Sequence, residues 1–122
     1  MKIVGYLEGT DSLLLTKLAS QGIGVLPLGN GADNHGKYIG LITKADNIGI
    51  VVGYVHKVLP VPGRTLGPKD ILFSCTTNKI PVILVASEED INDANNQLSD
   101  VKESVTIVPP EKLYDTIMQN LK

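Results

Sequence analysis

The chain has no tryptophan, one phenylalanine, one cysteine and one arginine. Each shortage excludes something. A lone Cys75 permits no intramolecular disulfide, and its natural setting is a reducing compartment. With Phe73 and four tyrosines as the whole aromatic complement, the core has to be built from isoleucine, valine and leucine. Positive charge is not in surplus: 11 basic against 13 acidic side chains leave a net charge of −2, unlike the basic face of a nucleic-acid binder. No apolar run approaches the roughly 20 residues that span a bilayer. Glu8 and Asp11 interrupt the first apolar run before a signal-peptide core can form. The expectation is a soluble cytoplasmic protein with neither nucleic acid nor membrane as partner. A length of 122 residues fits one domain, 1–122.

What is present is α/β in pattern. Ile48 to Val55 is apolar or glycine throughout, as a strand buried on both faces reads. Before it come a first strand at Ile3 to Leu7 and a second at Gly24 to Leu28. The helix between them carries Leu14, Leu15, Leu18 and Ala19 on one stripe, with Thr10, Asp11 and Ser12 as N-cap candidates and Gly22 as terminator. Pro27 cannot donate to a ladder, which places the second strand at an edge. Residues 38–43, Y-I-G-L-I-T, read as a helix or a strand; a parallel strand at Ile48 needs a crossover, which favours helix.

Past the central strand, Gly67-Pro68 opens a helix with Ile71, Leu72 and Cys75 inward, Cys75 as a core residue rather than a nucleophile. Pro81 to Ala86 is a fourth strand. Ser87-Glu88-Glu89-Asp90 starts a helix whose stripe is Ile91, Ala94, Leu98 and Val101. Val105 to Val108 is a fifth strand, and Pro109-Pro110-Glu111 launches a last helix with Leu113, Tyr114, Ile117, Met118 and Leu121 inward. This alternation predicts a three-layer, doubly wound, five-stranded parallel sheet in the order 2-1-3-4-5, a flavodoxin-like or Rossmann-like topology.

In such sheets ligands bind beyond the carboxyl ends of the strands, where the strand order reverses. That rule collects Glu8, Thr10 and Asp11 after strand one, Gly29, Gly31, His35, Gly36 and Lys37 after strand two, and His56, Lys57 and Arg64 after strand three. Arg64, Lys37 and Lys57 suit a carboxylate or phosphate. His56 and His35 are the candidates for proton transfer, because histidine titrates near neutral pH. The three glycines allow close backbone approach to an anion.

No cofactor or catalytic fingerprint accompanies these residues. Gly31 to Tyr38 resembles a phosphate-binding G-x-x-x-x-G-K-[S/T] loop, but Tyr38 stands where a small hydroxyl would bind magnesium. The dinucleotide pattern G-x-G-x-x-G is absent after strand one. A response-regulator receiver domain is similar in size and topology, yet His56 stands where that family's phospho-accepting aspartate would follow strand three. Two histidines and one cysteine at distant positions make no metal spacing.

Two functions remain. One is a domain binding a small phosphate- or carboxylate-bearing ligand at the carboxyl edge, with or without catalysis. The other is a non-enzymatic, homo-oligomeric interaction or regulatory module, most simply a dimer, using the proline-rich loop 58–64, whose Val58-Leu59-Pro60-Val61-Pro62 is apolar.

Overall fold

The computed structural model describes residues 3–29, 36–59 and 67–121. Six parallel strands form one sheet with helices on both faces, an α/β fold. The strands are β1 (Ile3–Leu7), β2 (Val25–Gly29), β3 (Lys37–Tyr38), β4 (Ile48–Tyr54), β5 (Val82–Val85) and β6 (Val105–Val108), in the order β3-β2-β1-β4-β5-β6. The expected five-strand order is contained within it.

The difference is β3. Residues 38–43 are not a helix: Lys37 and Tyr38 pair with Leu28 and Gly29, and single 3-10 turns follow at Ile39–Leu41 and Lys44–Asp46. Six residues that include Gly40 and two isoleucines cannot offset the cost of helix nucleation. β2 is therefore second from the edge. β3 begins pairing only beyond Pro27, so the missing N–H faces no partner. Gly36 makes the approach feasible, since its φ is +67° and a side chain there would run into the Pro27 carbonyl.

β4 is central and its interior is buried, because both faces are covered. Its register against β1 skips Gly49: Ile3 pairs with Ile48 and Val4 with Ile50. This bulge sets Ile48 and Val51 on one face and Ile50 and Val52 on the other. The first face packs Leu7, Leu28, Val51 and Leu84 under α2 (Pro68–Ile71), α3 (Phe73–Thr77) and α4 (Ile91–Gln97). The second packs Val4, Ile50, Val52, Ile83 and Val85 under α1 (Ser12–Ser20) and α5 (Leu113–Leu121).

The α1 boundaries follow from local chemistry. The Asp11 carboxylate accepts from the Leu13 N–H at 3.0 Å. At the other end Gly22 (φ +80°) allows Gly22 N–H to reach Ala19 O and Ile23 N–H to reach Leu18 O, both near 3 Å, a Schellman cap. Leu14 and Leu18 are buried; Ala19 is exposed.

Three further details depart from the sequence reading. α4 starts at Ile91 rather than in the acidic run, because Ser87 to Asp90 closes a turn of its own, with Ser87 Oγ donating to Asp90 Oδ2 at 2.9 Å. Val58 is fully buried and Leu59 packs against the core, so the start of the apolar loop is covered by its own domain. The helix after Gly67 breaks at Leu72 into α2 and α3, while Ile71, Leu72 and Cys75 are all buried as expected. Burial pushes the Cys75 thiol up to about 12, which keeps it protonated. Among the described residues no helix is long and apolar enough to cross a membrane.

Candidate functional site

The order reversal lies between β1 and β4, and there the two following loops touch. Lys57 Nζ stands 3.0 Å from Glu8 Oε1, joining residues 49 positions apart. Lys57 is only 18% exposed, whereas Glu8 is 48% exposed. Thr10 Oγ1 donates to Leu7 O at 2.7 Å and fixes the turn leading to Asp11 and α1. Glu8, Thr10, Asp11, His56 and Lys57 thus lie at the adjoining ends of two neighbouring strands.

Two clefts flank this edge, one on each face. The first, about 250 Å³, lies between the starts of α1 and α5. Thr10, Asp11, Tyr54 and Glu111 supply its polar groups and Leu13, Leu14 and Leu113 its walls. Lys17 also borders it, its ammonium 3.9 Å from the centre of the Tyr114 ring, which ties α1 to α5. The second cleft, about 440 Å³, lies between the end of β4 and α4. His56, Ser87, Asp90, Asp93 and Gln97 rim it over a floor that includes Val55, Leu59 and Ala94. Tyr54 and Val85 border both clefts.

His56 is exposed and its imidazole makes no hydrogen bond among the described residues. Its ring stacks on Tyr54, with centroids 5.8 Å apart and planes inclined by 28°. A 3-10 turn at Val55–Lys57 turns the chain just after β4, so that consecutive residues serve different neighbours. His56 faces Tyr54 while Lys57 reaches Glu8.

The other candidates fall elsewhere. Lys37 donates to both oxygens of Asp46 at 2.8 Å, tying β3 to the turn before β4. That ion pair and the Thr43 N–H hold the Asp46 carboxyl below the usual carboxylate range. Since Lys37 and Tyr38 form a strand rather than open a helix, they lack the geometry of a phosphate-binding loop. Gly36 is used against Pro27, and Gly29 pairs with Tyr38 at the end of β2. Gly31, His35 and Arg64 lie outside the described residues, as does the loop from Pro60 onward. Among the described residues no group of three His, Cys, Asp or Glu side chains could hold a metal ion.

Tyr54, Glu111, Asp93 and Gln97 line these clefts without having been singled out from the sequence, and Asp90, read there as helix capping, lines the second. Tyr54 was concealed in an apolar run, although a hydroxyl at the last position of a buried strand is itself a signal. Glu111 follows the carboxyl end of β6 and Asp90 that of β5, where the same edge rule applies. No protein-family model, no curated protein and no solved structure matches this chain.

Proposed function

We propose that the protein binds a small molecule carrying a carboxylate or phosphate at the carboxyl edge of its sheet. The observation that carries this reading is the Lys57–Glu8 contact of 3.0 Å at the order reversal, beside a cleft bordered by Thr10 and Asp11. Lys57 is a positioned, mostly covered cation whose acidic neighbour is half exposed. Because Glu8 is half exposed, a ligand anion can compete with it for the Lys57 ammonium. Lys57 carries the anion role in this reading; Lys37 is engaged with Asp46.

The test is thermal stability against a panel of small carboxylates and phosphate esters, for which a ligand at 100 times its dissociation constant adds about 2.7 kcal/mol. At least one compound raises the melting temperature of the native chain, and Lys57→Ala removes that rise. A panel without any shift overturns the reading.

Homodimer formation is a second reading. It is favoured by Phe73 and Leu41, 64% and 63% exposed, on adjoining segments where Ser74 Oγ donates to Gly40 O. Light scattering at high concentration checks it, and a monodisperse monomer excludes it. The cytoplasmic setting belongs to the same proposal, supported by a lone cysteine that is buried.

A further inference from the structure

The cleft beside α4 has a chemistry of its own. Asp93 and Gln97 lie four apart on one stripe of α4 beside Ala94, and Asp90 continues that line from the residue just before the helix. Opposite that stripe stands the His56–Tyr54 stack. A volume of about 440 Å³ falls within the range of small-molecule sites. A stacked, exposed imidazole offers a ring face to a ligand beside its ring nitrogens. Carboxylate oxygens and a side-chain amide are the groups that read an exocyclic amine and a ring nitrogen. The apolar floor of Val55, Leu59 and Ala94 suits the edge of a ring and gives nothing to a charge.

We infer that this cleft seats a planar heterocycle bearing an exocyclic amine, stacked on His56 and hydrogen-bonded from the α4 stripe. The lining of this cleft holds two carboxylates and no lysine or arginine, so an anion on the same ligand lies on the other side of the β4 turn, at Lys57. His56 and Lys57 are consecutive, and one turn therefore presents a ring platform to one cleft and a cation to the crevice. A ligand satisfying both is a nucleotide-like molecule, with its ring beside α4 and its phosphate toward β1. The phosphate half of this assignment rests on the ligand reading given above; the ring half does not.

The experiment separates the halves with three probes: adenosine, ribose 5-phosphate and adenosine monophosphate. The imidazole proton resonances of His56 are followed by NMR and assigned by their loss in His56→Ala. Adenosine and the monophosphate move them saturably, and ribose 5-phosphate does not. His56→Ala weakens adenosine binding roughly tenfold, the scale of one base stacked on one ring. His56→Phe, which keeps a stacking face, restores it. His56 is exposed, so neither variant threatens the fold.

The inference is overturned if millimolar adenosine leaves His56 unmoved, if His56→Ala binds adenosine as the native chain does, or if His56→Phe is as weak as His56→Ala. If ribose 5-phosphate stabilises the protein while adenosine does nothing, the ring site is wrong and the anion site stands. If adenosine binds and no anion does, the ring site stands and the Lys57 reading falls.

Discussion

One face of the sheet is covered by two nine-residue helices, α1 and α5. The other is covered by helices of four, five and seven residues and by single 3-10 turns. Helices that short do not hold themselves together in water, so tertiary packing must hold them. The packing there is close. Leu28 lies across Gly5 and Leu7 across Gly53, each where a methyl group would come within 3 Å of the leucine. Side chains also bond across segments: Ser74 Oγ donates to Gly40 O at 2.6 Å and Asn78 Nδ2 to Ile42 O at 3.5 Å. The two-helix face is regular, and each face leaves a cleft at its carboxyl end, the one beside α4 being about 440 Å³. On the two-helix face α1 and α5 leave the 250 Å³ cleft, with Leu13 77% exposed at its rim.

The comparison breaks most easily in the core. Leu72→Ala removes a fully buried side chain from the fragmented face, where close-packed neighbours cannot collapse into the gap. Its cost lies in the upper part of the roughly 2–5 kcal/mol range for such truncations. Leu14→Ala, 8% exposed and already bordering a cleft, costs about 2 kcal/mol or less. Chemical denaturation of both variants decides it, and equal costs would mean the two faces are equally well filled.

Gly36→Ala is next. An alanine at φ +67° costs about 1–2 kcal/mol in backbone strain, and its methyl meets the Pro27 carbonyl, which is backbone and cannot swing aside. The expected loss is at least about 2 kcal/mol by urea titration. A loss below the strain alone would show that β3 detaches from β2 without consequence. Lys79→Gly has the opposite sign. Lys79 holds φ +55° at the end of α3, where Ile80 N–H reaches Cys75 O and Lys79 N–H reaches Thr76 O. Glycine in that cap position relieves strain and raises stability by about 0.5–1 kcal/mol.

The same contrast explains what the sequence disclosed. α1 was legible from Asp11 to Gly22 because its caps are local, and β4 because an unbroken apolar run has few other uses. β3 was not legible, because its two residues are a strand only through pairing with Leu28 and Gly29. Nothing within Y-I-G-L-I-T records that partner. The edge rule placed Glu8 and Lys57 side by side, and the two are in contact. It assigned Lys37 to the crevice because the Asp46 that takes up its ammonium lies nine positions away, beyond the segment 38–43 expected to be helical. Tyr54 was invisible for the reason that made β4 obvious: it was counted as one more apolar residue.

The smallest effect concerns that Lys37–Asp46 pair, which fastens the outermost strand of the fragmented face by charge rather than burial. Asp46 is 20% exposed and Lys37 36%, so solvent screens the pair and its contribution is below about 1 kcal/mol. The Lys37 hydrogen bond, then the Thr43 N–H, lowers the Asp46 pKa in the folded state. A lowered folded pKa means that the ionised carboxylate stabilises the fold at pH values above the unfolded pKa. The stabilisation is lost as pH falls through the folded value, a window that opens at about pH 4 and extends downward. Asp46→Asn keeps an oxygen for the Thr43 N–H but gives Lys37 no charge partner. The native chain and this variant therefore differ in urea midpoint at neutral pH and in low salt, and the difference shrinks on acidification below about pH 4. It also shrinks in high salt. If the gap persists unchanged at about pH 3, charge is not what fastens β3, and the edge is held by its two ladder pairs and by Tyr38 packed over Gly40.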